Sequence, residues 1–169
     1  MKETNKRKGN FFRVGMGYDV HRLAEGRELW LGGIKIDYER GLDGHSDADV
    51  LIHAICDALL GAADMRDIGY HFPDTSADTL GMDSKDILRR TVALITEQGY
   101  SLVNIDATVC AEEPKINPYV PAIKACLAEV IGCDERQVSI KATTTEHLGF
   151  TGRKEGISAY AVCLIEAEQ

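Results

Sequence analysis

The stretch from Gly44 to Gly69, GHSDADVLIHAICDALLGAADMRDIG, constrains this chain more than any other. Ala48, Leu51, Ile52, Ile55, Ala58, Leu59 and Ala62 recur at helical spacing and predict a helix with one core-facing stripe. Ser46 or Asp47 is the expected N-cap. Asp49, His53 and Asp57 stand four apart, so their side chains share one face. His45 lies just outside the helix start, and Asp67 follows its end in the turn MRDIG. Gathering imidazoles and carboxylates on a helix that must also bury an apolar stripe is costly unless a cation or a substrate sits among them. The pattern therefore points to a metal site.

Composition narrows the partners. A chain of 169 residues fits one domain with a sizeable core. A net charge of −8 argues against a general nucleic-acid binder or an anionic-membrane binder. An anionic substrate then needs metal ions or local donors to overcome the protein's own field. Cys56, Cys110, Cys126, Cys133 and Cys163 are odd in number and form no CxxC pair, which fits core thiols of a reducing, cytoplasmic protein. The opening MKETNKRKGN is polar and basic with no apolar core behind it. Residues 1–10 are therefore expected to be a disordered tail ahead of one domain at 11–169. No apolar run approaches membrane-spanning length.

In order along the chain, Phe11–His21 alternates: Phe12, Val14, Met16, Tyr18 and Val20 point one way, Arg13, Gly15, Gly17, Asp19 and His21 the other. Glu28–Leu31 and Ile34–Tyr38 flank Gly32-Gly33 as a hairpin, and Glu39–Gly44 reads as a loop. YHFPDTSADTLGMDS lacks periodicity and reads as a mobile surface loop. Ser84 is the expected cap of a second helix that stops at Gly99, and Pro118 the opening of a third that ends near Gly132. Leu102–Cys110, Val138–Thr144 and Ile157–Ala167 read as strands. The expectation is a single-domain α+β two-layer sandwich, with a mainly four-stranded mixed sheet, helices on one face and a small hairpin.

Asp19 and His21 project from one face at a strand end, and His53 adds a second imidazole. One carboxylate and two imidazoles suit zinc or a similar divalent ion, with one position left open. Spacing alone leaves this level with the alternative of an ordinary hydrogen-bonded histidine. Asp49 and Asp57, one turn either side of His53, are candidates to orient its ring; the alternative is that they are solvated helix charges. Lys141-Ala-Thr-Thr-Thr-Glu146 ends a strand in hydroxyls and an acid, suited to phosphate oxygens and a hard cation; the alternative is a run of good strand formers. FTGRKEG reads as an anion loop through Arg153 or as a polar connection.

Together GYDVHRL (17–23), GHSDADVLIHAICDALLGAA (44–63), DIG (67–69), HFPDT (71–75), PKI (114–116) and KATTTEHLGFTGRKEGI (141–157) resemble the 2-C-methyl-D-erythritol 2,4-cyclodiphosphate synthases, from about Phe12 almost to the C-terminus. The resemblance implies ring closure of 4-diphosphocytidyl-2-C-methyl-D-erythritol 2-phosphate with release of CMP, in the non-mevalonate isoprenoid pathway. It also implies a homotrimer with active sites between subunits. Asp19, His21 and His53 match the zinc ligands, and Glu146 the acid on a second cation, Mg2+ or Mn2+. His45, Ser46, Asp67, Ile68, Gly69, Phe72, Pro73, Asp74 and Thr75 match the methylerythritol phosphate site. Ala111, Pro114, Lys115, Ile116, Asn117, Thr143 and Thr145 match the cytidine diphosphate pocket. His45 and Thr144 match positions that steady the transition state, with Asp67 placed beside them. Phe150 and Arg153 match a region near the trimer axis. Ser76 and Leu80 depart from the family pattern, which usually has Asp and Lys there. The acidic pair Glu112-Glu113 beside a diphosphate pocket is expected to point outward. A zinc phosphoesterase and a non-catalytic trimeric binding protein are the rival readings, separated by product analysis and by His53→Ala.

Overall fold

The structure, a computed structural model, describes residues 11–73 and 81–167. Strand β1 (Phe12–Glu25) leads into a hairpin of β2 (Leu29–Leu31) and β3 (Ile34–Ile36), then β4 (Arg40–Asp43). Helix α1 (Val50–Ala62) is followed by a single turn, α2 (Ile68–His71), and by α3 (Ser84–Glu97). Strand β5 (Tyr100–Cys110), helix α4 (Val120–Ile131), strand β6 (Val138–Thr143), the turn α5 (Gly149–Gly152) and strand β7 (Gly156–Ala167) complete the chain.

The main sheet has five strands in the order β4-β1-β7-β5-β6, one more than the sequence predicts. The extra strand is β4, read above as a loop; it pairs antiparallel with β1 from Arg22↔Asp43 to Glu25↔Arg40. Among the described residues only β5 and β6 run parallel, and α4 lies between them in sequence. This is an α+β single domain. No described helix is long and apolar enough to cross a membrane.

The core forms where α1 lies on β1 and β7. Val50, Leu51, Ile52, Ile55, Leu59 and Leu60 are wholly buried, and such side chains stabilise by about 1.5–3 kcal/mol each. The strand beneath is shaped for the helix. A Cβ on Gly15 would lie 2.0 Å from the Ala58 carbonyl oxygen, and one on Gly17 2.0 Å from that of Ala54. Backbone therefore rests on backbone, with Ala54, Ala58 and Ala62 as the small helix residues at the contact. The alternation in β1 is inverted relative to an ordinary half-buried strand: the glycines face the core, and Phe12, Val14, Met16, Tyr18 and Val20 are exposed on the other side. Tyr160 and Val162 of β7 extend that exposed apolar face, and the Tyr18 and Tyr160 rings stand 4.7 Å apart.

Several local expectations are corrected. The N-cap of α1 is Asp49, not Ser46 or Asp47; its wholly buried carboxylate accepts from the N–H of Ile52 at 3.1 Å. It also accepts from Gly32 N at 2.9 Å and Gly33 N at 2.7 Å. Both hairpin glycines have positive φ, the geometry a two-residue primed turn requires. Burial pushes the Asp49 carboxyl up even against these main-chain donors. The cap of α3 is Asp83, bonded to Lys85 N at 2.8 Å, rather than Ser84. Pro118 sits in a 3-10 turn, Asn117–Tyr119, and α4 opens at Val120. Part of the expected surface loop is ordered as α2. Residues 1–10 and 74–80 lie outside the described residues, and with them the tail, Asp74, Thr75, Ser76 and Leu80.

Candidate metal centre and active site

Strand β1 delivers Asp19 and His21 to the α1 side of the sheet because they share the parity of Gly15 and Gly17. Helix α1 delivers His53 from its first turn. The Asp19 Oδ2 lies 2.9 Å from His21 Nε2 and 3.1 Å from His53 Nδ1. The two ring nitrogens are 3.2 Å apart. All three donor atoms fall within 4.8 Å of one another, and among the described residues they are the one such His/Cys/Asp/Glu group.

The donor chemistry fits a divalent cation. His21 Nδ1 donates to the Asp43 carbonyl at 2.8 Å, so in the neutral ring Nε2 keeps its lone pair and turns it toward Asp19. Lone pairs of a carboxylate and an imidazole at this distance repel unless positive charge lies between them. Without a metal, a proton supplies that charge. Burial alone would push the Asp19 carboxyl up, but hydrogen bonding to His21 and His53 outweighs it and holds the carboxyl well below the usual range. Burial alone would lower His21, and the Asp19 carboxylate raises it overall.

The triad lines a cavity of about 200 Å³ together with His45, Ser46, Ile68, Gly69, Phe72 and Ile87. Five of the predicted substrate residues thus meet the three predicted metal ligands. Asp67 is exposed at the start of α2 and caps it through Tyr70 N at 2.9 Å. Pro73 is exposed just beyond Phe72. The returning chain is pinned beside the site by Gly81 N to the His45 carbonyl at 2.9 Å.

The remaining predicted residues are divided among other places. Ala111, Lys115, Ile116, Asn117, Thr143 and Thr144 line a cavity of about 120 Å³, with Ala142. Pro114 follows a cis peptide at the edge of this group. Thr145 and Phe150 line a third cavity with Tyr18 and Tyr160. Glu146 is exposed, has φ of 51°, and accepts from the Thr144 hydroxyl at 3.0 Å. It is not part of the triad. Arg153 is committed to Glu155 at 2.8 and 3.2 Å.

Three expectations are overturned. Asp49 and Asp57 do not orient His53: Asp49 holds the hairpin glycines, and Asp57 accepts from Ile68 N at 2.8 Å. Glu112 does not point outward but is buried, its Oε1 accepting from Thr145 N at 3.1 Å and His147 N at 3.0 Å. These donors, the His147 N–H first, hold its carboxyl below the usual range even against burial. Glu113 does face solvent and pairs with Lys154 at 2.7 Å. The sequence also left the Asp43 carbonyl and Ile87 out of the site; neither carries a chemical signature that spacing exposes.

Fold and site together define an α+β protein with a divalent-metal-capable pocket between β1 and α1; Asp19 and His21 lie within β1, which runs on to Glu25, and not at a strand end as expected. The YgbB family model matches residues 12–166. A 2-C-methyl-D-erythritol 2,4-cyclodiphosphate synthase of Parabacteroides distasonis is 69% identical over 154 residues, covering 91% of this chain and 96% of its own. One from Bacteroides fragilis is 65% identical over 153 residues, with 90% and 96% covered. Among solved structures, a 2C-methyl-D-erythritol-2,4-cyclodiphosphate synthase in its CDP-bound form has a TM-score of 0.84 at 34% identity, covering 90% of this chain and 99% of that one. The bifunctional IspDF of Campylobacter jejuni has a TM-score of 0.91 at 39% identity; 94% of this chain matches 43% of that longer one. The chain belongs to the YgbB family of cyclodiphosphate synthases, enzymes of the lyase class that serve isoprenoid biosynthesis.

Proposed function

We propose that the chain closes 4-diphosphocytidyl-2-C-methyl-D-erythritol 2-phosphate into 2-C-methyl-D-erythritol 2,4-cyclodiphosphate. An oxygen of the 2-phosphate bonds to the β-phosphorus, the bond from that phosphorus to the bridging oxygen breaks, and CMP leaves with the electron pair. The observation that carries this is the Asp19, His21 and His53 cluster opening into a cavity with His45, Ser46, Ile68, Gly69 and Phe72.

Such a transfer asks chiefly for positioning and for charge stabilisation. The nucleophile belongs to the substrate, so no protein base is needed. Zinc or a similar ion at Asp19, His21 and His53, with Mg2+ or Mn2+ at Glu146, supplies neutralisation of the phosphate oxygens that a protein of charge −8 otherwise lacks. His45 and Thr144 steady the developing charge, with Asp67 at the rim. Ser46, Ile68, Gly69, Phe72, Pro73, Asp74 and Thr75 hold the methylerythritol phosphate. Ala111, Pro114, Lys115, Ile116, Asn117, Thr143 and Thr145 hold the cytidine diphosphate part. Orientation of two ends of one molecule contributes up to about 7–11 kcal/mol in favourable intramolecular cases.

The working unit in this reading is a homotrimer, with Phe150 and Arg153 near its axis. The exposed apolar face of β1 and β7 supports it, since such patches mark protein contacts. So does the division of the substrate residues between two cavities of one chain, which a neighbouring subunit would complete. Five unpaired cysteines support a reducing, cytoplasmic setting.

The test is incubation with the cytidyl substrate, Zn2+ and Mg2+. CMP and a cyclic diphosphate should appear, and chelation should stop both. Release of inorganic phosphate instead would establish the phosphoesterase reading.

A further inference from the structure

The residues around His53 carry an arrangement that neither the metal ligands nor the substrate cavity accounts for. His53 Nε2, the ring nitrogen away from the cluster, lies 3.1 Å from the Ser84 hydroxyl. That hydroxyl is wholly buried, and its proton is directed at Asp47 Oδ1 in a short contact. Asp47 is held for this purpose. Its Oδ2 accepts from Ser84 N at 2.9 Å, and its Oδ1 also accepts from Asp49 N at 3.1 Å. A carboxylate offers acceptors only. The single Ser84 proton therefore goes to Asp47, and the hydroxyl oxygen is left to accept. It faces His53 Nε2, which must then be the N–H nitrogen. The lone pair of a neutral His53 is thereby on Nδ1, 3.1 Å from Asp19 Oδ2 and 3.2 Å from His21 Nε2.

We infer that Asp47 and Ser84 are positioning residues that fix the tautomer and ring orientation of His53 and so set the affinity of the metal centre. The inference rests on the metal-centre reading above. The second hydroxyl near this nitrogen, Ser46 at 3.2 Å, cannot replace Ser84. It accepts from Ala48 N at 3.1 Å, but among the described residues no carboxylate takes its own proton. It can turn to donate or to accept, so it leaves either tautomer open. His21 is fixed in the equivalent way by the Asp43 carbonyl. Both imidazoles are then presented to the ion with their far N–H groups already engaged, from β4 in one case and from the α3 start in the other. Partners of this kind are generally worth roughly 10–100-fold in metal affinity.

The test uses the full chain, metal-free and zinc-loaded, with Ser84→Ala as the variant and Asp83→Ala as the control. Asp83 caps α3 through Lys85 N and its side chain bonds neither His53 nor Asp47, so it reports simple weakening of that helix end. Zinc affinity is measured by competition with a chelator, and the His53 tautomer by long-range proton–nitrogen NMR on the zinc-loaded protein. Wild type should show Nε2–H at His53. Ser84→Ala should lower zinc affinity roughly 10–100-fold and give mixed tautomers, whereas Asp83→Ala should lower the melting temperature and leave both readouts unchanged. Equal zinc affinity for wild type and Ser84→Ala, or Nδ1–H in wild type, overturns the inference. Failure of wild type to bind zinc more tightly than His53→Ala is a different result and removes the metal-centre reading itself.

Discussion

Replacing Gly17 by Ala puts the relation between fold and metal centre to a sharp test. The added Cβ would lie 2.0 Å from the Ala54 carbonyl oxygen and 2.7 Å from Ala58 N. Ordinary contact starts near 3.4 Å, so the α1 backbone must retreat by roughly 1.4 Å along that line, the difference between 3.4 and 2.0. His53 immediately precedes Ala54, whereas Asp19 and His21 stay with the strand. Metal sites hold their ligand distances to about ±0.2 Å. The retreat therefore exceeds the tolerance several-fold. Overpacking of this type costs about 1–3 kcal/mol, and a 1 Å misplacement can cost about 100-fold in rate. The expected outcome is a folded protein with lower urea resistance, weakened zinc binding and CMP release down about 100-fold or more. Gly61→Ala, in the same helix with nothing within 4 Å of the new Cβ, should instead stabilise by about 0.5–1 kcal/mol and leave zinc binding alone. Wild-type zinc affinity and stability in Gly17→Ala would refute the claim that main-chain contact sets the ligand spacing.

Glu112→Ala should raise the KM for the cytidyl substrate and lower turnover by up to about 100-fold, because the buried carboxylate tethers a turn in which Glu146 and His147 both have positive φ. Glu112→Gln, which keeps one acceptor oxygen, should restore most of both in steady-state assays. Burial pushes the Cys56 thiol up to about 12 and the Cys163 thiol up to about 11. Both should resist alkylation at pH 8 until denaturant is added. Their raised values mean the folded state holds its thiol protons more tightly than the unfolded one, so their contribution is intact below about pH 8.5 and is lost as pH climbs toward 11–12. Urea melts from pH 8 to 10.5 should show the decline begin. Val14→Glu with Val162→Glu, on the exposed face of the sheet, should lower the sedimentation mass toward that of one chain and remove activity, while each chain stays folded by circular dichroism.

The meeting of Asp19, His21 and His53 was legible because it depends on residue type and parity. Asp19 and His21 share a face by the two-residue period, and His53 sits in a strongly periodic helix. The helices and the four long strands were legible for the same reason. β4 was not, since Arg40-Gly-Leu-Asp43 has no apolar alternation of its own and becomes a strand only by pairing with β1. The α1 cap was ambiguous because Ser46, Asp47 and Asp49 are all good caps; the hairpin glycines, distant in sequence, decide for Asp49. Glu112 defeated the reading because an acid buried by main-chain N–H groups has no local signature, and its donors lie more than thirty residues away.

Strand β1 has a further consequence for how this gene can change. Its outward residues and its cation donors occupy alternate positions, locked by an unbroken ladder to β7 from Phe12↔Glu166 to Arg22↔Gly156. Losing or gaining a single codon between Val14 and Asp19 would exchange the two sides together, pressing bulky side chains onto α1 and turning carboxylate and imidazole to the outside. Length variation among descendants of this sequence should therefore be absent from that short span, even where individual letters drift freely.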